Sequence, residues 1–134
     1  VDTLGYYSVA LDVTSVDEFS LNDSHFKYIE KQKQNNGSDL KRGYYEIVYE
    51  GKKISFIVRN EKEKQLKTYK LYTSMYLIKN GAAFKVRSIK SLLVLLAGDS
   101  DKMRNFVSQN DLKINTTNYL SARLILKYYE GLHE

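Results

Sequence analysis

The stretch that decides the fold is GYYEIVYEGKKISFIVR, residues 43–59. Apolar residues occupy every second position on both sides of its central Glu-Gly-Lys, and this period of two is typical of strands with one buried face. Residues 43–49 and 53–59 are therefore predicted to form a β-hairpin with Glu50-Gly51-Lys52 as its turn. The pattern places three residues of the first strand on one face: Tyr45, Ile47 and Tyr49.

A second hairpin is predicted immediately after the first. Residues 68–78 and 83–87 have strand character, and Asn80-Gly81 lies between them. A type I′ turn needs a positive φ at both central positions, which Asn and Gly tolerate best. The charged and amide-rich run 60–67 is expected to be a solvated turn or a protruding strand tip.

The spacing of apolar residues changes after Ser88 to the period of a helix, and three helices are predicted from there. Ser88 is expected to cap the first helix and Gly98 to follow its end. The second is predicted near residues 100–109, and Thr116 or Thr117 is expected to cap the third. The residues expected in the core are Ile47, Phe56, Val58, Leu92, Leu93, Leu96, Phe106, Leu120, Leu124 and Ile125.

The residues before the central hairpin predict two further strands and a loop. Alternation near residues 5–13 predicts a first strand, the segment around Phe26 and Tyr28 a short second one, and the polar stretch 31–41 a loop. No internal repeat and no linker divides the chain. The prediction is thus a single α+β domain over all 134 residues, mainly β up to residue 87 and helical beyond it. A curved antiparallel sheet of about five or six strands is followed by three C-terminal α-helices.

Side chains that could serve in catalysis or metal binding are scarce. The chain has no Cys and two His, which excludes cysteine nucleophiles, disulfides, zinc-thiolate sites and histidine-rich metal sites. Asp23, Ser24 and His25 are adjacent, but neighbours on a strand point to opposite faces and cannot form a triad among themselves. The seven glycines are scattered singly, so no phosphate-binding loop is present. We expect no enzyme activity, no cofactor and no metal site, and no apolar run approaches the roughly 20 residues of a membrane span.

Tyrosine usage departs most from the average, with 12 Tyr and no Trp beside a net charge of +5. Tyr next to Lys on a sheet can hold single-stranded nucleic acid or sugars, although Tyr is also an ordinary strand residue and Lys an ordinary solubilising one. The helices must bury their own apolar stripes, whereas the strands carry more Tyr than one core face absorbs. A binding surface is therefore predicted on the sheet side, at Tyr44, Tyr69, Tyr72, Lys31, Lys33 and Lys41.

The C-terminal half carries four motifs in a fixed order: YLIKNG (76–81), KVRSIKSLL (85–93), DLKI (111–114) and LKYY (126–129). This order resembles a group of small uncharacterised exported proteins of Bacteroidetes. In those proteins a hairpin with Asp-Gly or Asn-Gly precedes a Lys-containing helix, a short helix, an extended link and a closing Tyr-Tyr helix. The first helix of this chain departs from the pattern because Val94, Leu95 and Ala97 make it more apolar.

The resemblance implies a signal peptide removed before Val1 and a location in the periplasm or at the cell surface, but it implies no activity. We therefore expect a non-enzymatic exported binding or accessory module whose partner is a protein or a glycan of the cell envelope. The alternative is a cytoplasmic protein that binds single-stranded nucleic acid, which the net positive charge allows. Nucleic acid is not the partner we expect.

Overall fold

The computed structural model describes residues 17–96 and 100–132. The predicted strand near residues 5–13 and the predicted role of Gly98 lie outside the described residues. The strands are β1 (Glu18–Leu21), β2 (Ser24–Ile29), β3 (Lys33–Gln34), β4 (Gly43–Glu50), β5 (Ile54–Gln65), β6 (Thr68–Lys79) and β7 (Ala82–Val86). The helices are α1 (Ile89–Leu95), α2 (Ser100–Gln109) and α3 (Ala122–Leu132).

The described chain has the predicted α+β architecture, with a mostly antiparallel sheet curled into a half-barrel and three helices after it. The seven strands lie in the order β1-β2-β4-β5-β6-β7-β3. Only the short β3 is parallel to its neighbour β7. The described residues contain seven strands against the predicted five or six, because β1 lies where no strand was expected and β3 lies in the segment expected to be a loop.

Both predicted hairpins are confirmed. The turn between β4 and β5 is closed by a hydrogen bond from the Gly51 N–H to the Ile54 carbonyl at 2.9 Å. The turn between β6 and β7 has φ of 54° at Asn80 and 79° at Gly81, which is the pair of positive values that a type I′ turn requires. The run 60–67 is the predicted protruding tip, since β5 and β6 remain paired as far as Gln65 and Thr68.

One face of the sheet packs against the helices, and we call it the helix-side face. Its buried cluster joins strand residues such as Phe56 and Leu77 to helix residues such as Leu92 and Ile125. The opposite, loop-side face is covered by the segment 30–42, whose Leu40 is buried among Tyr45, Ile57 and Ala83. The polar stretch predicted as a loop therefore closes a second, smaller core.

A β-bulge divides β4 between these two cores. Ile47 lies opposite Ile57, but Tyr49 lies opposite Phe56, so the register shifts by one residue around Val48. Tyr49 therefore packs on the helix-side cluster, while Tyr45 and Ile47 belong to the loop-side cluster. The prediction that Tyr45, Ile47 and Tyr49 share one face was wrong. The extra residue at the bulge moves every later side chain of β4 to the other face.

The helices begin as predicted except for the third. The Ser88 hydroxyl accepts from the Ser91 N–H and the Ser91 hydroxyl accepts from the Ser88 N–H, which makes a capping box. The third helix begins at Ala122, not after Thr116 or Thr117. Those threonines lie in a turn in which the Asn115 side chain accepts from the Thr117 N–H at 2.9 Å.

The expected core is confirmed for six of its ten members: Phe56, Val58, Leu92, Leu93, Leu96 and Ile125. Ile47 and Phe106 are half-buried, and the Phe106 ring stacks on Tyr128 with centroids 4.1 Å apart. Leu120 and Leu124 were predicted wrongly, because they are 49% and 53% exposed. In α3 the buried positions are Ala122, Ile125 and Leu126.

Candidate functional site

A cleft opens at the end of the sheet where the β4–β5 turn, the end of β6 and the last turns of α3 meet. Its volume is ≈ 990 Å³, which is at the upper end of the range for ligand pockets. Four lysines and two glutamates line it together with Tyr49 and Tyr129. We call this feature the turn cleft.

Glu130 of α3 fixes one wall of the turn cleft. Its carboxylate accepts hydrogen bonds from the Tyr49 hydroxyl and from the Lys53 backbone N–H, the latter at 3.0 Å. The backbone N–H groups of Lys52 and Ile54 also contribute. Partial burial opposes ionisation of Glu130, but these donors together hold the pKa of its carboxyl below the ordinary value. The β4–β5 turn is therefore a cradle of donors that holds a carboxylate.

The second glutamate of the turn cleft, Glu50, forms an ion pair. The Lys27 ammonium lies 2.7 Å from a Glu50 carboxylate oxygen, and the hydrogen bond to Glu50 raises the pKa of Lys27 above its ordinary value. Both carboxylates of the cleft thus have partners within the protein. A cation compensates the charge of Glu50 only, whereas the donors around Glu130 are neutral and stabilise its charged form.

Most of the lysines of the turn cleft are left available. Lys79 donates to the Leu95 carbonyl at 3.0 Å, which ties β6 to the C-terminal end of α1. Lys52, Lys53 and Lys127 are exposed, and within residues 17–96 and 100–132 none of them forms an ion pair. The electrostatic potential of the cleft is therefore positive.

The residues predicted from the sequence as a binding surface do not come together. Tyr44 lies on the helix-side face among other rings, with its centroid 5.1 Å from both Phe19 and Tyr28. Tyr69 lies opposite Lys64 and Tyr72 opposite Glu61, so these two rings point to opposite faces of the sheet. The structure separates Tyr69 from Tyr72 because they are three residues apart on one strand, and Tyr44 lies on a different strand, β4.

Tyr72 does lie on the same face as one of the predicted lysines. Lys41 contacts Glu61 at 2.8 Å, and Arg59 contacts the same carboxyl at 2.8 Å. The hydrogen bond from Lys41, with that from Arg59, holds the pKa of Glu61 below its ordinary value despite some burial. Lys41 is thus held within a charge network of the protein itself.

The other two predicted lysines lie on the segment that covers the loop-side face. Lys31 and Lys41 line a shallow pocket of ≈ 430 Å³ with Arg42, while Lys33 contacts Asp39 at 2.6 Å. With its neighbouring Glu30 and Asp39 this pocket carries mixed charge. The turn cleft is larger and more strongly positive.

Reasoning from the sequence missed the turn cleft completely. Lys52 was assigned to a turn and Lys53 to the start of the following strand, and Lys127 and Glu130 fall within the predicted third helix. Tyr49 and Glu130 are 81 residues apart, and nothing in their spacing indicates contact. The one available signal was the pair of lysines beside Gly51 in a hairpin turn.

Comparison with models of protein families, with curated proteins and with solved structures finds no significant match for this chain. Across the described residues, no three side chains of the types that hold metal ions come together. The helices in the same part of the chain are too short or too polar to cross a bilayer.

Proposed function

We propose that this chain is a non-enzymatic binding module that holds an acidic glycan in the turn cleft. The observation that carries the proposal is the set of exposed, unpaired lysines around the cleft, Lys52, Lys53 and Lys127. Such a set costs free energy through mutual repulsion unless an anion lies between its members. A bound anionic ligand would remove that repulsion.

The hydrogen bonds to Glu130 show that the β4–β5 turn stabilises a carboxylate. The backbone donors of the β4–β5 turn already hold one carboxylate there, and the Tyr49 hydroxyl completes its coordination. Successive N–H groups in a turn form concave anion sites. Because Glu130 occupies these donors, a ligand carboxylate or sulfate would instead be bound by the ammonium groups of Lys52, Lys53 and Lys127.

A sugar fits the remaining surface of the turn cleft. Tyr49 and Tyr129 contribute half-buried rings, and tyrosine offers a large apolar surface with a polar tip. Asn80, at the turn between β6 and β7, adds an amide that can both donate and accept. Apolar rings, amide groups and cations together match the alternating apolar and hydroxylated faces of an acidic sugar.

An exported location in the periplasm or at the cell surface is part of this proposal. It rests on the resemblance to exported proteins of Bacteroidetes, and acidic glycans of the cell envelope would be available there. The runner-up function, binding of single-stranded nucleic acid in the cytoplasm, uses the same positive charge. It would add a steep salt dependence, because each neutralised phosphate contributes about 0.7 to the logarithmic slope.

Isothermal titration with oligogalacturonate, a carboxylated glycan, tests the proposal. We expect binding by the natural sequence and a loss of about tenfold or more in Lys52→Ala/Lys127→Ala, which corresponds to at least ~1.4 kcal/mol. Lys90→Ala/Lys113→Ala removes the same charge at exposed positions outside the cleft and should bind normally. Equal losses in both variants, or binding of a single-stranded oligonucleotide with no binding of the glycan, would disprove it.

A further inference from the structure

The β5–β6 hairpin extends far beyond the rest of the sheet. Pairing of β4 with β5 ends at Val58 on this side, and pairing of β7 with β6 ends at Met75. Residues 60–65 and 68–73 therefore form a two-stranded ribbon with no other strand beside it in the described part of the chain. We call this feature the ribbon.

The residue at the apex of the ribbon is a leucine whose side chain is fully exposed. Leu66 and Lys67 form the two-residue connection between the paired Gln65 and Thr68, and Leu66 is 100% exposed. An isolated exposed leucine is common on protein surfaces. A leucine at the outermost point of a protruding hairpin is less ordinary, because neither packing nor solubility favours it there.

Turn geometry does not explain Leu66 either. The other two-residue hairpin turns of the described chain use Asn22-Asp23 and Asn80-Gly81, with positive φ at Asn22, Asn80 and Gly81. These are the residues that such turns favour. Neither Leu66 nor Lys67 has a positive φ. The backbone conformation of the turn therefore does not require these two residues at the ribbon apex.

Exposed apolar side chains and lysines follow the apex along one face of the ribbon. Tyr69 is 68% exposed and Leu71 is 61% exposed, and both lie on the same face of the ribbon. Lys64 lies directly opposite Tyr69, and Lys62 lies directly opposite Leu71. Between residues 62 and 70 the sequence has four lysines and one glutamate. The end of the ribbon is thus apolar at its tip and positively charged along its sides.

We propose that the ribbon tip anchors the protein to the surface of an anionic phospholipid bilayer. Leu66 would enter the boundary of the acyl chains, and Tyr69 would lie at the level of the headgroups, where tyrosine is enriched in membrane proteins. The lysines would contact the anionic headgroups while their aliphatic stems remain near the apolar layer. The apolar contact and the charge attraction act together at such an interface.

The shape of the ribbon favours a bilayer over a protein partner. A stable protein interface buries about 800 Å² on each partner over a well-matched surface. A two-stranded tip that ends in two residues is narrow and convex, so a flat partner surface would contact little of it, and a protein would need a preformed pocket of matching shape. A fluid bilayer accepts a narrow convex tip without a preformed pocket.

Sedimentation with lipid vesicles tests the proposal on the intact chain. Vesicles of phosphatidylcholine with about one third phosphatidylglycerol should bind the protein, and vesicles of phosphatidylcholine alone should bind it much less. Leu66→Asp should lower the partition coefficient about tenfold or more. Val94→Asp places the same charge at a 69% exposed apolar position of α1 and should leave partitioning unchanged.

The absence of Trp from the chain allows a direct readout of insertion. The indole fluorescence of Leu66→Trp should shift to shorter wavelength on the anionic vesicles and become protected from an aqueous quencher, whereas that of Val94→Trp should not change. Lys52→Ala/Lys127→Ala should sediment like the natural sequence, which separates this site from the turn cleft. No binding to anionic vesicles, equal partitioning of Leu66→Asp, or loss of binding in the cleft variant would overturn the proposal.

Discussion

Gly51 lies so close to the Glu130 carboxylate that a Cβ atom does not fit between them. The contact joins the β4–β5 turn to the last turn of α3, and it places the lysines of the turn and of the helix around the same cleft. The φ of Gly51 is not positive, so its backbone conformation does not require glycine. Glycine is favoured at position 51 because a side chain would collide with Glu130. A methyl group at position 51 would therefore displace the Glu130 carboxylate and the Tyr49 ring, which both line the cleft.

Gly51→Ala should destabilise the protein by about 1–3 kcal/mol, as overpacking usually does. The displaced groups are the carboxylate of Glu130 and the ring of Tyr49, so part of the cost should depend on Glu130. In a Glu130→Ala background the same substitution should cost less by ~1 kcal/mol or more. Urea unfolding of the four members of the double-mutant cycle measures this coupling. Additive effects would show that Glu130 is not the group that Gly51 accommodates.

The contribution of Glu130 to stability should depend on pH. The donors around its carboxylate lower its pKa in the folded state below the ordinary 4.5. The stabilisation is therefore fully present above the unfolded-state pKa of about 4.3 and is lost as the pH falls through the folded-state pKa. The difference in free energy of unfolding between the natural sequence and Glu130→Gln should be constant near neutral pH and shrink in acid. A difference that grows in acid would contradict the assignment.

The side of α3 that faces the core can be tested by two leucines of the same helix. Leu126 is fully buried and Leu124 is 53% exposed. Leu126→Ala should cost about 2–5 kcal/mol, whereas Leu124→Ala should cost less than about 1 kcal/mol. Chemical denaturation of both variants is sufficient, because each serves as the control for the other. Equal costs would indicate that the helix is rotated relative to the structure.

Glu46 is the one charged residue buried in the described chain, at 5% exposure. The Tyr119 hydroxyl donates to it at 2.7 Å, which connects β4 to the residues just before α3. Tyr119→Phe should cost about 1–3 kcal/mol, because it leaves a buried acceptor without this donor. Tyr28→Phe, at an exposed position, should change the free energy of unfolding by less than about 0.5 kcal/mol. If Tyr119→Phe and Tyr28→Phe had the same free energy of unfolding, the Glu46–Tyr119 hydrogen bond would not stabilise the fold.

The parts of the fold that the sequence predicts are those that local chemistry determines. The positive φ values at Asn80 and Gly81 and the capping box at Ser88 depend on adjacent residues. The hairpin pairings follow from the alternation of apolar residues. These features need no knowledge of distant contacts.

Errors occur where distant packing selects between two local possibilities. In the segment 120–132 Leu120 and Leu124 recur at helical spacing just as Ile125 and Leu132 do, and only contact with the sheet decides which set packs on the core. The bulge at Val48 is likewise invisible in a pattern that alternates on both sides of it. The turn cleft depends on the approach of Glu130 to residues about 80 positions earlier, which no local pattern of the sequence indicates.

The most direct test of the turn cleft is a nuclear magnetic resonance titration with oligogalacturonate that follows each backbone amide. If the account is correct, the largest chemical-shift changes occur at Gly51, Lys52, Lys53 and Gly131, which line the cleft. They saturate with a single affinity, and a neutral oligosaccharide of the same length does not produce them. Changes centred on the ribbon or on the segment 30–42, or no changes at all, would contradict the proposal that the turn cleft binds an acidic glycan.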